Sequence, residues 1–285
     1  MATAQFDSLM KELAACGARA DGEIDLARTA LILGALNHPG LSLDRYEHHL
    51  EKLPEDVAAC HRALIAAGAK DDLQTRRDAL KKALTEINGY SGEPESGDVL
   101  ESDDLVRVIE RRRGSAAALG ILCLHAARAL GWRIHGLNFP MHFVLRLDDE
   151  AGQRLIFDPG NACAVLQAAD LRSMIKESLG EKAELSTGYF EPLSNRAILV
   201  GMQNTLKLRR VGEEDYEGAL RTVEALRALD PGEFRLLLDA GVLYSRTGRA
   251  REAVVALEGY IRQAPKSRDR QEAALLLQHI RKTLV

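Results

Sequence analysis

The 285-residue sequence predicts an α+β protein: a mainly helical N-terminal region, a core with a small antiparallel sheet, and an all-α hairpin region. Three observations predict it. Apolar residues recur with helical spacing from the start to about residue 90. A strongly apolar segment, Ser115 to Leu130, then precedes three short runs of alternating or β-rich pattern. The last third carries an internal repeat of 34 residues.

Ile24 to Leu36 is periodic and stops at Asn37-His38-Pro39-Gly40. A second helix starts near Ser42, whose hydroxyl can cap it, and carries Tyr46, Leu50 and Leu53. Pro54-Glu55-Asp56 reads as the first turn of the next helix, where proline is tolerated and acids suit the positive end. A further helix covers Asp71 to Ile87, and Asn88-Gly89 ends it. Residues 90 to 101 form a loop rich in turn formers. A short helix from about Ser102 to Arg112 carries Leu105, Val108 and Ile109 on one face. Gly114 stops it, and Ser115 to Leu130 follows, with His125 and Arg128 almost its only polar residues. Such a helix belongs in the core, and Ser115 is placed to cap it.

Arg133 to Leu137, Met141 to Leu147 and Gln153 to Asp158 read as three antiparallel strands behind that helix. Asn138-Phe139-Pro140 and a hairpin turn over Asp148 to Gly152 join them. Residues 168 to 178 are helical, and 181 to 195 irregular with one further strand. From Asn195 the pattern is helical to the end. Ala219 and Ala253, Leu220 and Val254, Val223 and Leu257, and Pro231 and Pro265 are 34 residues apart, the tetratricopeptide period. Gly248 fits the turn within a hairpin. The expected domains are 1–194, made of a helical segment over 1–90 and a core over 91–194, and 195–285.

A net charge of −4 gives no clustered basic surface for a polyanion. Arg111 to Arg113 sit at a helix C-terminus without aromatic neighbours and read as a solvated or ion-paired face, so no nucleic-acid partner is expected. Cys16, Cys60, Cys123 and Cys163 are scattered, with no paired ligand spacing. Reduced thiols, no metal and no cofactor are expected. Charges at Asp7, Lys11 and Glu12 interrupt the N-terminus, and the longest apolar stretch is Ala30 to Leu36, so neither a signal peptide nor a membrane span is expected. These features point to a cytoplasmic location.

A buried helix followed by strands bearing one His and one Asp is the layout of a thiol site. The helix dipole and an imidazole favour a thiolate there, and a carboxylate fixes the tautomer. Gly89-Tyr90, Val108 to Gly114, Ala129-Leu130-Gly131, Asn138 to Phe143, Phe157-Asp158-Pro159 and Leu193 to Val200 carry a resemblance. In their order and spacing the sequence resembles the SirB-type transglutaminase-like proteins, in which a degenerate transglutaminase core precedes tetratricopeptide repeats. The resemblance implies that fold over nearly the whole chain.

It also places the histidine of the transglutaminase pattern on His142, the aspartate on Asp158 and the cysteine on Ala116, which cannot attack a carbonyl. The group commonly lacks cysteine there. This chain departs further, with Gly-Ser-Ala-Ala-Ala for the usual Gly-Ile-Pro-Ile-Ser and Asp-Pro-Gly-Asn for Asp-Pro-Phe-Asn. Cys123 lies ~10 Å along the helix from Ala116. Ser115 and Cys163 remain as alternative nucleophiles. His142 with Asp158 also fits an inert polar link. A residual pocket at Ala116, His142 and Asp158, flanked by Arg113, Asn138 and Asn161, is the expected place for a peptide or small ligand.

Two functions follow as expectations. One is a non-catalytic binding or regulatory protein, a pseudoenzyme whose repeats hold a protein or peptide partner. The other is a cryptic cysteine or serine hydrolase or acyltransferase using His142 and Asp158.

Overall fold

A computed structural model describes residues 2–93 and 99–284. Some of the turn-rich segment expected over 90 to 101 lies outside the described residues. Two compact units form, one from residues 21–202 and one from residues 1–20 together with 203–285.

The larger unit begins with α2 (Leu26–Ala35), α3 (Asp44–Ala66) and α4 (Leu73–Lys81), the last running into a π-helical turn, Lys82–Ile87. Asp25 caps α2 by accepting from the Arg28 N–H, and Asp72 caps α4 by accepting from the Thr75 N–H, each side chain holding a first-turn donor the helix leaves open. The helix after Ser42 starts at Asp44, whose N–H donates to the Ser42 hydroxyl at 3.3 Å.

The expected break at Pro54 does not occur: α3 is one helix of 23 residues with Pro54 inside it. Proline lacks the N–H that would bond the carbonyl four residues earlier, that of Leu50. His125 supplies the missing donor. Its Nε2 lies 2.9 Å from the Leu50 oxygen, so the carbonyl stays satisfied in the core.

Next come β1 (Ser91–Gly92), α5 (Val99–Ser102), α6 (Leu105–Arg111), β2 (Arg113–Gly114) and α7 (Ala116–Ala129). β1 and β2 pair in parallel. Asp104 caps α6 and Ser115 caps α7, its oxygen accepting from the Ala118 N–H at 3.1 Å as the sequence indicates. Nine of the fourteen residues of α7 are buried, which makes it the centre of this unit.

The sheet has four antiparallel strands in the order β3 (Arg133–Gly136), β4 (Leu145–Asp148), β5 (Arg154–Asp158), β6 (Ala164–Val165). The second strand is shorter than expected. Met141 has φ 59, a left-handed conformation that L-residues rarely adopt, and the chain becomes regular only at Leu145. β6 adds a strand to the three expected. Instead of a strand, residues 181 to 195 hold a 3-10 turn, Thr187–Phe190, and one isolated bridge between Leu137 and Pro192. α8 (Ala168–Leu179) covers the Leu137, Phe139 and Val144 cluster with Leu171 and Ile175. Asp21 accepts from the N–H groups of Asn195 and Arg196 and so caps α9 (Asn195–Gly212). The Asn195 side chain bridges Arg128 to the Asp21 and Ile24 carbonyls.

The smaller unit contains α1 (Ala2–Gly17), the α9 residues from 203 onward, α10 (Tyr216–Leu229), α11 (Arg235–Arg246), α12 (Ala250–Gln263) and α13 (Arg268–Thr283). α11 and α12 form the closest-packed hairpin, turned at Gly248 with φ 75, a conformation glycine adopts without strain. The repeated Ala219 and Ala253 are both fully buried. Here the domain division differs from the expected one, because α1 packs against α10 rather than within 1–194. Gly17 explains the fit: a Cβ there would lie 2.3 Å from the Ala228 carbonyl oxygen, so only glycine permits this approach.

Candidate functional site

The first turn of α7 and the turn after β5 meet at Gly160. A Cβ on Gly160 would lie 3.0 Å from the Ala116 Cβ and 3.2 Å from an Asp158 oxygen. Asp158 Oδ1 accepts from the Gly160 N–H at 2.8 Å, which shapes the turn. Ala116 and Asp158 therefore share one neighbourhood.

His142 does not complete the set. It is exposed, in a bend ahead of β4 rather than on a strand. Its Nε2 lies 3.1 Å from the Ser178 hydroxyl on α8, and its ring lies 6.4 Å from that of Phe139. Ser178 donates its own proton to the Met174 carbonyl, so His142 Nε2 is the donor to Ser178. The cause of this placement is Phe143. A Cβ on Gly120 of α7 would lie 2.4 Å from the Phe143 ring, and one on Gly136 of β3 would lie 2.9 Å from it. With Phe143 wedged against the helix, the preceding side chain is directed elsewhere. The expected imidazole–carboxylate link is replaced by separate bonds, His142 to Ser178 and Asp158 to its own turn.

The alternative nucleophiles are engaged too. The Ser115 hydroxyl donates to Asp103 Oδ1 while accepting from the Ala118 N–H. Burial pushes the Asp103 carboxyl up to about 6, and the bond from Ser115 pulls the other way. Cys163 is buried, and its proximity together with burial holds the Cys123 thiol well above its ordinary range. Of the flanking residues, Arg113 lies on β2 and is exposed. Asn138 and Asn161 are exposed, and the Asn138 backbone N–H donates to the Glu191 carbonyl. Among the described residues no group of three or more His, Cys, Asp or Glu is placed to hold a metal.

A second concave feature lies within the smaller unit. A groove of about 590 Å³ runs over α9, α11 and α13. Its apolar surface includes Leu208, 66 % exposed, with Val211 and Val242, each 37 % exposed. Lys207 bonds Asp239 at 2.5 Å on its rim, and Arg246 lies over the Tyr216 ring at 5.7 Å.

Residues 44–204 match the transglutaminase-like superfamily. The chain belongs to that superfamily. Residues 206–278 of this transglutaminase-like chain match the tetratricopeptide repeat. Similar proteins include a UPF0162 protein of Xylella fastidiosa (strain Temecula1), 26 % identical over 250 residues, which are 87 % of this chain and 86 % of the relative. Protein SirB1 of Salmonella typhimurium is 27 % identical over 197 residues, 68 % of this chain and 73 % of its own. Among solved structures, menin, described with its binding site for Mixed Lineage Leukemia protein, aligns over 96 % of this chain and 74 % of its own at a TM-score of 0.39 and 12 % identity, too distant to bear on function.

One polar feature of the transglutaminase-like unit is not evident in the sequence. His49, Tyr90 and Arg112 form a cluster, with Arg112 Nη1 2.7 Å from the Tyr90 hydroxyl and 2.9 Å from His49 Nε2. Burial lowers His49 to about 4, helped by the Arg112 charge, and burial raises Tyr90 to about 12. Only Gly89-Tyr90 and the arginine run hint at it. Arg111, as expected of an ion-paired face, meets Glu101 at 2.8 Å and Glu93 at 3.4 Å. No helix among the described residues is long and apolar enough to cross a membrane.

Proposed function

We propose that this protein is a non-catalytic binding and regulatory protein whose tetratricopeptide groove receives a segment of a protein partner. The groove carries this reading. Side chains as apolar as Leu208, Val211 and Val242 stand exposed along it, and such patches mark interaction surfaces. The match of this region to tetratricopeptide repeats supports the same reading. Ala116 at the start of α7 supports the absence of covalent catalysis, since a methyl group offers no nucleophile. The hydrolase alternative gains nothing from the geometry, because Ser115 and His142 are bonded to Asp103 and Ser178, and Cys163 is buried. Four buried, free cysteines support a reducing compartment such as the cytoplasm.

The test compares the intact tagged chain with a Leu208→Glu, Val242→Glu double variant in affinity purification. Proteins retained by the wild type and lost by the variant, at unchanged helical circular dichroism, are expected. An identical set on both would refute the groove as the binding surface.

A further inference from the structure

Asn88-Gly89, the single Asn-Gly in the chain, ends the π-helical turn that follows α4. In this dipeptide the backbone nitrogen of the glycine can attack the side-chain amide, because glycine puts no Cβ in the path. Gly89 is exposed, has φ 70, and a Cβ there would meet nothing within 4 Å. The N–H groups on either side of it, of Asn88 and Tyr90, donate to the Ala83 and Leu84 carbonyls. Among the described residues the Gly89 N–H makes no such bond. The Asn88 side chain, in contrast, is tied down. Its Nδ2 donates to Asp56 Oδ2 at 3.0 Å and to the Ala83 carbonyl at 2.9 Å, which fastens the end of the turn to the middle of α3. A carboxylate at position 88 would have no proton to donate and would face Asp56 with like charge. It would also stand at the C-terminal end of a helical turn, where the carbonyl dipoles disfavour an anion. The segment so fastened leads directly into Tyr90, whose hydroxyl meets His49 of α3 at 2.8 Å, and into β1.

We propose that Asn88 is a site of spontaneous deamidation restrained by Asp56, and that its conversion loosens the end of the turn from α3. The only co-reactant is water. The Gly89 backbone nitrogen gives its proton to solvent base and attacks Asn88 Cγ. A new C–N bond forms, the bond from Cγ to Nδ2 breaks, and the leaving nitrogen takes up a proton and departs as ammonia. Water then opens the five-membered imide at either carbonyl. Its hydroxyl stays on the carbon attacked, and its other proton goes to the nitrogen released. In sum, an amide and water become a carboxylic acid and ammonia, with no change of oxidation state. Opening at one carbonyl leaves aspartate. Opening at the other leaves isoaspartate, in which the main chain runs through the side-chain methylene and is one carbon longer. Ring closure requires the amide to leave both of its acceptors, so the bond to Asp56 slows the reaction.

Incubation of the full chain in mildly alkaline buffer is expected to raise its mass by about 1 Da, an NH2 exchanged for an OH, with equimolar release of ammonium. Peptide mapping should place the change at position 88, ahead of Asn138 and Asn161, which are exposed but not followed by glycine. Asp56→Ala should convert roughly tenfold faster, since a hydrogen bond to a charged group no longer holds the amide. Asn88→Asp should lower Tm by roughly 3–6 °C. The exchanged pair, Asp56→Asn with Asn88→Asp, again sets one donor against one carboxylate and should recover most of that loss. Conversion first at Asn138 or Asn161, equal rates in the wild type and Asp56→Ala, or an unchanged Tm in Asn88→Asp would each overturn the proposal.

Discussion

Replacing His125 by alanine tests how α3 continues through a proline. The substitution strips a side-chain donor from the Leu50 carbonyl, whose residue is 4 % exposed. A buried carbonyl left unpaired costs about 1–3 kcal/mol, and the lost ring packing adds to that, so about 2–3 kcal/mol is expected. The decisive comparison is the same change in a Pro54→Ala background. Alanine restores an N–H at position 54, which then bonds the Leu50 carbonyl as in any helix. His125→Ala should there cost about 1–2 kcal/mol less than in the wild type. The single tryptophan makes the measurement local. Trp132 lies in the same unit, its ring 5.2 Å from His61, so its fluorescence during urea denaturation reports the unfolding of that unit. Equal costs in both backgrounds, within the ~0.5 kcal/mol expected of independent sites, would refute the carbonyl-rescue explanation.

Gly120→Ala places a methyl group 2.4 Å from the Phe143 ring; roughly 1–3 kcal/mol of destabilisation is expected, read by the same fluorescence. Its failure to appear would show that Phe143 is not wedged against α7. Gly17→Ala should loosen α1 from α10, lowering the helical circular dichroism midpoint while the Trp132 transition stays put. The pH dependence has two opposed components. His49 is lowered to about 4, so its neutral form is favoured in the fold; its contribution is complete above about 6.5 and lost as pH falls towards 4. Asp103 is raised to about 6, so its contribution is complete below about 4 and lost as pH rises through 6. Between pH 4 and 6, His49→Gln should flatten the acid decline in denaturation midpoint and Asp103→Asn should steepen it, and the reverse pattern would contradict both assignments. Ala116→Cys should give a thiol lowered from the reference value of ~8.5 only by the α7 dipole, because His142 is bonded to Ser178; a value below ~6 would mean the imidazole reaches position 116 after all.

What the sequence shows and what it hides divide along the range of the interactions. Ser115 as a cap, the apolar run of α7, the hairpin turn at Gly248 and the 34-residue repeat are local or periodic, and each lies where the pattern indicates. Pro54 misleads because its rescue comes from a residue far along the chain, His125. The partner of α1 is hidden for the same reason, since only the approach of Gly17 to the Ala228 carbonyl reveals it. The candidate site is half legible. The positions of Ala116 and Asp158 follow from motif order, whereas the direction of His142 depends on a left-handed Met141 and on Phe143 filling the space between Gly120 and Gly136. Strand alternation in the sequence carries no sign of that reversal.

The departures at this site hang together physically. At position 160 this chain has glycine. A Cβ there would press on Ala116, and a Cβ on Gly92 would lie 2.0 Å from the Gly160 carbonyl oxygen. Backbone from β1 thus packs closely on the turn after β5, and that turn packs closely on the start of α7. Small residues at 92, 116 and 160 are mutually required by that packing, and a larger side chain at any one of them displaces the others.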